Sequence, residues 1–273
     1  MRLQNIEPHP LLKGYICKIW IFESSGKMPT EDLKLVVPNG NIKLSVAYRN
    51  GIVAATNKKS FTSKEQDISL TGIMDVPVIL DVENDIPTGT IVVEFSPHGA
   101  YRFFRVTLNE IKNQIHPLTD ILGILAKQLE EEISNIDSIE GKVALLQQFL
   151  LKQFSLQKQD AIFEYCIAQI VASKGRVTIN ELEKKTGYSS RWLNIKFNDF
   201  LGVSPKNLST IIRFNQYYSA AAKNDENDFM QNAFYDHYYD QSHFLKEFKR
   251  FTGQSHAGFE KTTNDFGKLF YKE

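Results

Sequence analysis

Residues 236–259 read DHYYDQSHFLKEFKRFTGQSHAGF, and this stretch decides what kind of protein the chain is. Phe244, Phe248 and Phe251 fall at i, i+4 and i+7, one apolar stripe of a short helix, while Lys246, Lys249 and Arg250 point elsewhere. Asp240 stands where a side-chain oxygen caps the first turn, and Thr252-Gly253 supplies the stop.

The same pattern occurs a second time. Tyr188 to Pro205 reads YSSRWLNIKFNDFLGVSP, with Leu193, Phe197 and Phe200 as the stripe, Ser189 as cap and Gly202 as stop. Ser189, Leu193, Phe197, Gly202 and Ser204 superimpose on Asp240, Phe244, Phe248, Gly253 and Ser255 at one constant offset, which marks an internal repeat of a helical unit. Another short helix precedes each copy, over Thr178 to Lys185 and over about Asn227 to Tyr235. Helix, tight turn and polar-faced helix together are the grammar of a helix-turn-helix, here doubled.

At these residues the chain resembles the AraC/XylS-type transcriptional regulators, with the run YYDQSHF…EFKRFTG as the densest part of a match over about Phe163 to Thr262. The resemblance implies two helix-turn-helix units joined by a long helix. Pro205 to Lys223 is that helix, with Pro205 in the first turn, where its missing N–H costs nothing. Nineteen residues span roughly 28 Å at 1.5 Å per residue, near the ~34 Å that separates successive major-groove faces. Both recognition helices therefore fit one side of a duplex.

Residues off the apolar stripe and toward the N-terminal half of each recognition helix are the candidate DNA contacts. In the first unit these are Ser190, Arg191, Asn194 and Ile195, with Asn198 further along; in the second they are Gln241, Ser242, Leu245, Lys246 and Lys249. The resemblance assigns base- and phosphate-facing roles to the same positions. Arg191 suits guanine and Asn194 or Gln241 adenine, each pairing worth about 1–3 kcal/mol of discrimination. Lys246, Lys249 and Arg250 suit phosphates, which position without reading sequence. Arg213, in the linker helix, either braces the two units or meets a phosphate. Trp192, Tyr188, Tyr238 and Tyr239 are expected to pack around the turns. Four positions depart from the family pattern: His237 for a turn glycine, His256 for the proline after Ser255, Tyr217 for a small linker-helix residue, and Ile195 for a polar reader.

The N-terminal half speaks a different grammar. Strand-like runs occur at Leu11–Ile21, Leu33–Val37, Ile52–Thr56, Ile68–Ile73, Val76–Val82 and Gly89–Phe95. Ile42, Leu44, Val46 and Tyr48 alternate up to Asn50-Gly51, a hairpin dipeptide. Many short strands suggest a barrel or sandwich. Thr119-Asp120 and Ser138 are expected to cap two amphipathic helices whose stripes (Ile121, Leu122, Leu125, Leu129; Val143, Leu146, Leu150) pack on their own β-domain or on a second copy of the chain. The motifs PNGNIKL (Pro38–Leu44) and FSPHGAYRFF (Phe95–Phe104), with that helical pair, resemble the cupin-like sensor domain carried by some of these regulators.

The expected fold class is thus α+β multidomain. A β-rich cupin-like domain with a helical tail spans 1–154, a linker 155–160, and an all-α DNA-binding domain 161–273, whose first helix, Ala161 to Ser173, turns Ile162, Tyr165, Cys166 and Ile170 inward. Sixteen Lys and Arg stand against fourteen Asp and Glu from residue 155 on, so any phosphate footprint depends on local placement rather than net charge. The two cysteines, Cys17 and Cys166, fall in different expected domains and suit a reduced compartment. No signal peptide or apolar span is visible, so a cytoplasmic protein away from membranes is expected. His9, His98, His116 and Glu94 lack the His-X-His spacing of a cupin metal site, and no nucleophile elbow or phosphate loop occurs, so neither cofactor nor metal nor catalysis is expected. The expected partner is double-stranded DNA, with a small-molecule effector, a homodimer and RNA polymerase as further candidates. The rival readings are a cupin-like small-molecule-modifying enzyme and a regulator relic with degenerate DNA binding.

Overall fold

Strand β9 (Thr88–Phe95) is buried along its whole length, which explains its nearly unbroken apolar run and its place inside a six-stranded sheet. The computed structural model describes residues 1–26, 31–57, 59–82, 86–154, 158–223, 238 and 240–271. The larger sheet runs β1 (Arg2–Ile6), β2 (Ile16–Ser24), β9, β4 (Lys43–Arg49), β7 (Ile68–Thr71), β10 (Ile115–Pro117). A second sheet runs β3 (Leu35–Val36), β8 (Val78–Asp81), β5 (Val53–Ala55), β6 (Ser60–Thr62). Two sheets make this a sandwich; it is not a closed barrel.

The strand expectations need four corrections. Leu11 and Leu12 belong to a 3-10 turn (Pro10–Leu12), and the strand starts only at Ile16. The Asn50-Gly51 dipeptide does not close a hairpin, because β4 pairs with β7 and β9 while β5 pairs with β6 and β8. Instead the chain crosses from one sheet to the other there, with Asn50 at φ 44°. Strands β1, β6 and β10 were not anticipated. Finally, one amphipathic helix after Thr119 is in fact two, α1 (Leu118–Leu122) and α2 (Ile124–Ser134), with Pro117 rather than Thr119 or Asp120 at the first cap. Gly123 breaks them apart at φ 56°, ψ −123°, a conformation that a side chain would strain.

Helix α3 (Ile139–Phe154) has Ser138 at its start, whose hydroxyl accepts from Gly141 N, as expected. Leu129, Val143, Leu146 and Leu150 are buried in this chain's own core, while Ile124 and Leu125 stay exposed. The helices that follow are α4 (Ala161–Ala172), α5 (Ile179–Thr186), α6 (Ser190–Leu201), α7 (Pro205–Lys223), α8 (Gln241–Thr252), α9 (His256–Phe259) and α10 (Asp265–Lys268). In α4 the inward residues are Phe163, Cys166, Ile167 and Ile170; Ile162 is half-buried and Tyr165 exposed, because the stripe sits one position further round than expected. The helix expected over Asn227–Tyr235, His237 and Tyr239 lie outside the described residues.

The apolar core is continuous from Leu12 in the β-sandwich to Tyr271 near the C-terminus. The Tyr101 ring stacks on Phe200 of α6 (centroids 4.7 Å, interplanar 4°), and its hydroxyl donates to Glu164 of α4 at 2.6 Å. Residues 264–271 return to the sandwich as a strap. The Asn264 side chain makes both hydrogen bonds of the Leu35 peptide (2.8 and 2.9 Å), and the Tyr271 hydroxyl donates to Val37 O at 2.6 Å. Phe266 and Phe270 lie on Phe22 and Trp20, closing a second, smaller core.

Candidate nucleic-acid interface

Each unit is set by its caps. In the first, Thr178 and Glu181 form a reciprocal capping box at the start of α5, Gly187 ends it in the left-handed region, and the Ser189 hydroxyl accepts from Trp192 N to start α6. In the second, the Asp240 carboxylate accepts from Ser242 N at 2.8 Å to start α8, which Gly253 stops at φ 77°. Leu193 and Phe197 in α6, and Phe244, Phe248 and Phe251 in α8, are buried as their spacing requires. Phe200, the third stripe position of α6, is half-buried beneath Tyr101.

With the stripes inward, the opposite faces emerge in one register. Arg191, Asn194 and Ile195 of α6 are exposed, and so are Ser242, Leu245 and Lys246, which follow them at the same offset. Gln241 and Lys249 are exposed as well, whereas their counterparts Ser190 and Asn198 are half-buried. The Asn198 amide already donates to Asn194 O at 2.7 Å, one turn back, so its free capacity is small. Ile195, 55% exposed, is held outward by helix geometry alone, since nothing apolar on α6 needs it. Tyr188 and Trp192 stack on each other at 4.1 Å beside the first turn.

Arg213 and Arg250 lie in different surroundings from the exposed Arg191 and the lysines. Arg213 on α7 pairs with Glu247 of α8 at 2.8 Å and reaches Gly175 O at 3.5 Å, so it spans from the first unit to the second. Glu247 is otherwise buried, and His243 Nδ1 lies 3.3 Å from the same carboxylate. Arg250 turns away from the open face toward the sandwich. Its Nη2 donates to Asp75 Oδ2 at 2.7 Å and to Asn207 Oδ1 at 2.9 Å. Asp75 also accepts from Lys112 (2.8 Å), Asn113 (2.6 Å) and Asn207 (2.8 Å). Burial pushes its carboxyl up, but the hydrogen bonds from Lys112, Asn113 and Asn207 and the charge of Lys112 outweigh this and hold it down at about 2. Sequence reasoning missed Asp75 entirely, because nothing local to it signals a partner far along the chain.

Two of the departures from the family pattern meet. Tyr217, fully buried in α7, has its hydroxyl 3.4 Å from His256 Nε2, and the His256 ring lies 4.7 Å from Phe248. Burial lowers the His256 pKa, against the pull of Glu260 at 3.4 Å. A tyrosine in place of a small residue and a histidine in place of proline thus fill one contact beneath α8.

Among the described residues, no three His, Cys, Asp or Glu side chains gather as a metal site would need, and no helix is long and apolar enough to cross a membrane. A family model described as a domain of unknown function, DUF6597, matches residues 4–117, the β-rich part. No curated protein matches the sequence. Among solved structures, ToxT from Vibrio cholerae is similar at 12% identity and a TM-score of 0.47, over 89% of this chain and 97% of that one. An unsaturated fatty acid bound form of ToxT from the same organism gives 12% identity and a TM-score of 0.45, over 96% of this chain and 98% of that one. The AraC-like transcriptional activator CuxR gives 16% identity and a TM-score of 0.28, over 74% of each chain.

Proposed function

We propose that the chain is a cytoplasmic transcription regulator of AraC/XylS type, in which residues 161–273 bind duplex DNA and residues 1–154, joined by a linker at 155–160, carry the input that controls them. The observation that carries this reading is the pair of capped helices, α6 and α8, that expose matching positions at one constant offset: Arg191, Asn194 and Ile195 in the first, Ser242, Leu245 and Lys246 in the second. Arg191, Asn194 and Gln241 read base edges, with Ser190, Ser242, Ile195, Leu245 and Asn198 lining the groove, while Lys246 and Lys249 meet phosphates. Arg213 braces the units through Glu247. Arg250 reaches a phosphate only when it leaves Asp75, so the contact between sandwich and α8 competes with full engagement of the second unit.

The test is a comparison of two variants on a bound duplex. Arg191→Ala should relax preference at one base position by about 1–3 kcal/mol. Lys249→Ala should weaken all sequences alike and reduce the salt slope by about one. If neither variant changes binding, or both change it identically, the assignment of readers and positioners is wrong.

A further inference from the structure

Two large aliphatic side chains stand exposed on the recognition faces. Ile195 of α6 is 55% exposed and Leu245 of α8 is 39% exposed, and among the described residues neither joins the apolar core. Their neighbours four residues away along each helix are polar: Arg191 and Asp199 flank Ile195, and Gln241 and Lys249 flank Leu245. Isolated exposed apolar residues are ordinary on a protein surface. Register sets these two apart. At the constant offset between the units, Asn194 corresponds to Leu245 and Ile195 to Lys246, so each unit presents one aliphatic and one polar side chain at the same two adjacent positions, in opposite order.

Their surroundings point to base edges rather than to the phosphate backbone. In both units the aliphatic residue stands one turn after a side chain assigned to a base, Arg191 before Ile195 and Gln241 before Leu245. On α6 an open hollow is lined by Ser190, Arg191, Asn194, Ile195, Asn198 and Asp199, with Arg191 and Asp199 carrying opposite charges on either side of Ile195. That line of the helix gains nothing net from phosphate. The next cation, Lys196, is held by Asp160 at 2.9 Å and lies over the Phe200 ring. An aliphatic side chain pressed against a base amino group, carbonyl oxygen or ring nitrogen leaves that group desolvated and unpaired. On the major-groove edge only thymine offers an apolar group, its C5-methyl. Isoleucine, being β-branched, keeps one strongly preferred rotamer in a helix, so fixing it against a methyl costs little further freedom.

We propose that Ile195 and Leu245 determine specificity by apolar contact, each reading the C5-methyl of one thymine, one in each box of the bound duplex. The proposal rests on the DNA-binding reading above and deepens it. It adds to the hydrogen-bonding readers a requirement for thymine in both boxes, set in the first by a residue that stands where the family pattern has a polar reader.

The probe is a duplex carrying the sequence that the full-length protein selects from a random library, with each thymine replaced in turn by uracil, which removes the methyl and keeps the base pairing. At one position in each box the replacement should weaken binding about fourfold, the worth of taking one carbon out of apolar contact. Ile195→Ala should abolish the uracil effect in one box and leave the other intact, and Leu245→Ala should do the reverse. Both side chains are exposed, so both variants should keep the unfolding midpoint of the unsubstituted protein in urea. A uracil that acts through duplex shape rather than contact keeps its effect in both alanine variants, and that result overturns the proposal. A selected motif in which no thymine is sensitive to uracil also overturns it, while leaving the regulator reading in place. Selection of no motif at all overturns both.

Discussion

Replacing Asp75 by Asn tests the contact between the sandwich and the second recognition helix. The Asp75 side chain is 8% exposed and accepts hydrogen bonds from Arg250, Asn207, Lys112 and Asn113. A carboxyl held at about 2 against an ordinary 3.8 contributes about 2 kcal/mol of folding stability at pH 7 by proton linkage. The sign follows from the depressed pKa: the contribution is full above about pH 5 and falls as the carboxyl protonates, to roughly half near pH 3. Asn keeps the shape and mimics the protonated acid. Urea unfolding of the wild type and Asp75→Asn should therefore differ by about 2 kcal/mol at pH 7 and by about half that at pH 3. The same substitution frees Arg250, so duplex affinity read by fluorescence anisotropy should rise severalfold, the scale of one partly exposed charge-assisted hydrogen bond at about 1 kcal/mol. An unfolding difference that ignores pH, or weaker DNA binding by the variant, would refute this reasoning.

Other perturbations act on single features. Gly202→Ala adds a Cβ that would lie 2.7 Å from Leu108 O at φ +93°, and should cost about 2 kcal/mol or more in urea unfolding. Asn264→Ala strips both hydrogen bonds from the buried Leu35 peptide and should lower stability by about 2–3 kcal/mol, with faster amide exchange in residues 264–271. Because burial lowers the His256 pKa, the stability it supports is present above its ordinary 6.5 and lost as pH falls below that value. Thermal unfolding from pH 7.5 to 5 should be steeper for the wild type than for His256→Gln, and parallel slopes would contradict this. Charge reversal in Lys246→Glu should cut duplex affinity by at least tenfold at moderate salt and leave the unfolding midpoint unchanged.

The helical half was legible because its information is local and repeated. Ser189, Gly202, Asp240 and Gly253 announce the ends of α6 and α8, and the apolar spacing announces their faces, so ten of the proposed contacts could be placed from sequence register alone. The β-rich half was only partly legible. Strands β6 and β10 are three residues long and give alternation no room to show, and Asn50-Gly51 looks the same whether the chain returns to its own sheet or crosses to another. Gly123 sits in the middle of a good helical pattern, and only its backbone angles reveal the break. Contacts between distant residues could not be read at all. Asp75 with Arg250, and Phe270 over Trp20, depend on how the two halves pack, and the DFGKLFYKE tail carries no periodic signal of its own.

The central claim is that α6 and α8 read two sites on one face of a duplex. Selection of bound sequences from a random duplex library, with the full chain at two salt concentrations, tests it most directly. The account predicts an enriched motif of two short boxes with centres about one helical turn apart, retained at the higher salt. Binding that enriches no motif and vanishes at moderate salt would contradict it, leaving only nonspecific attraction to phosphate.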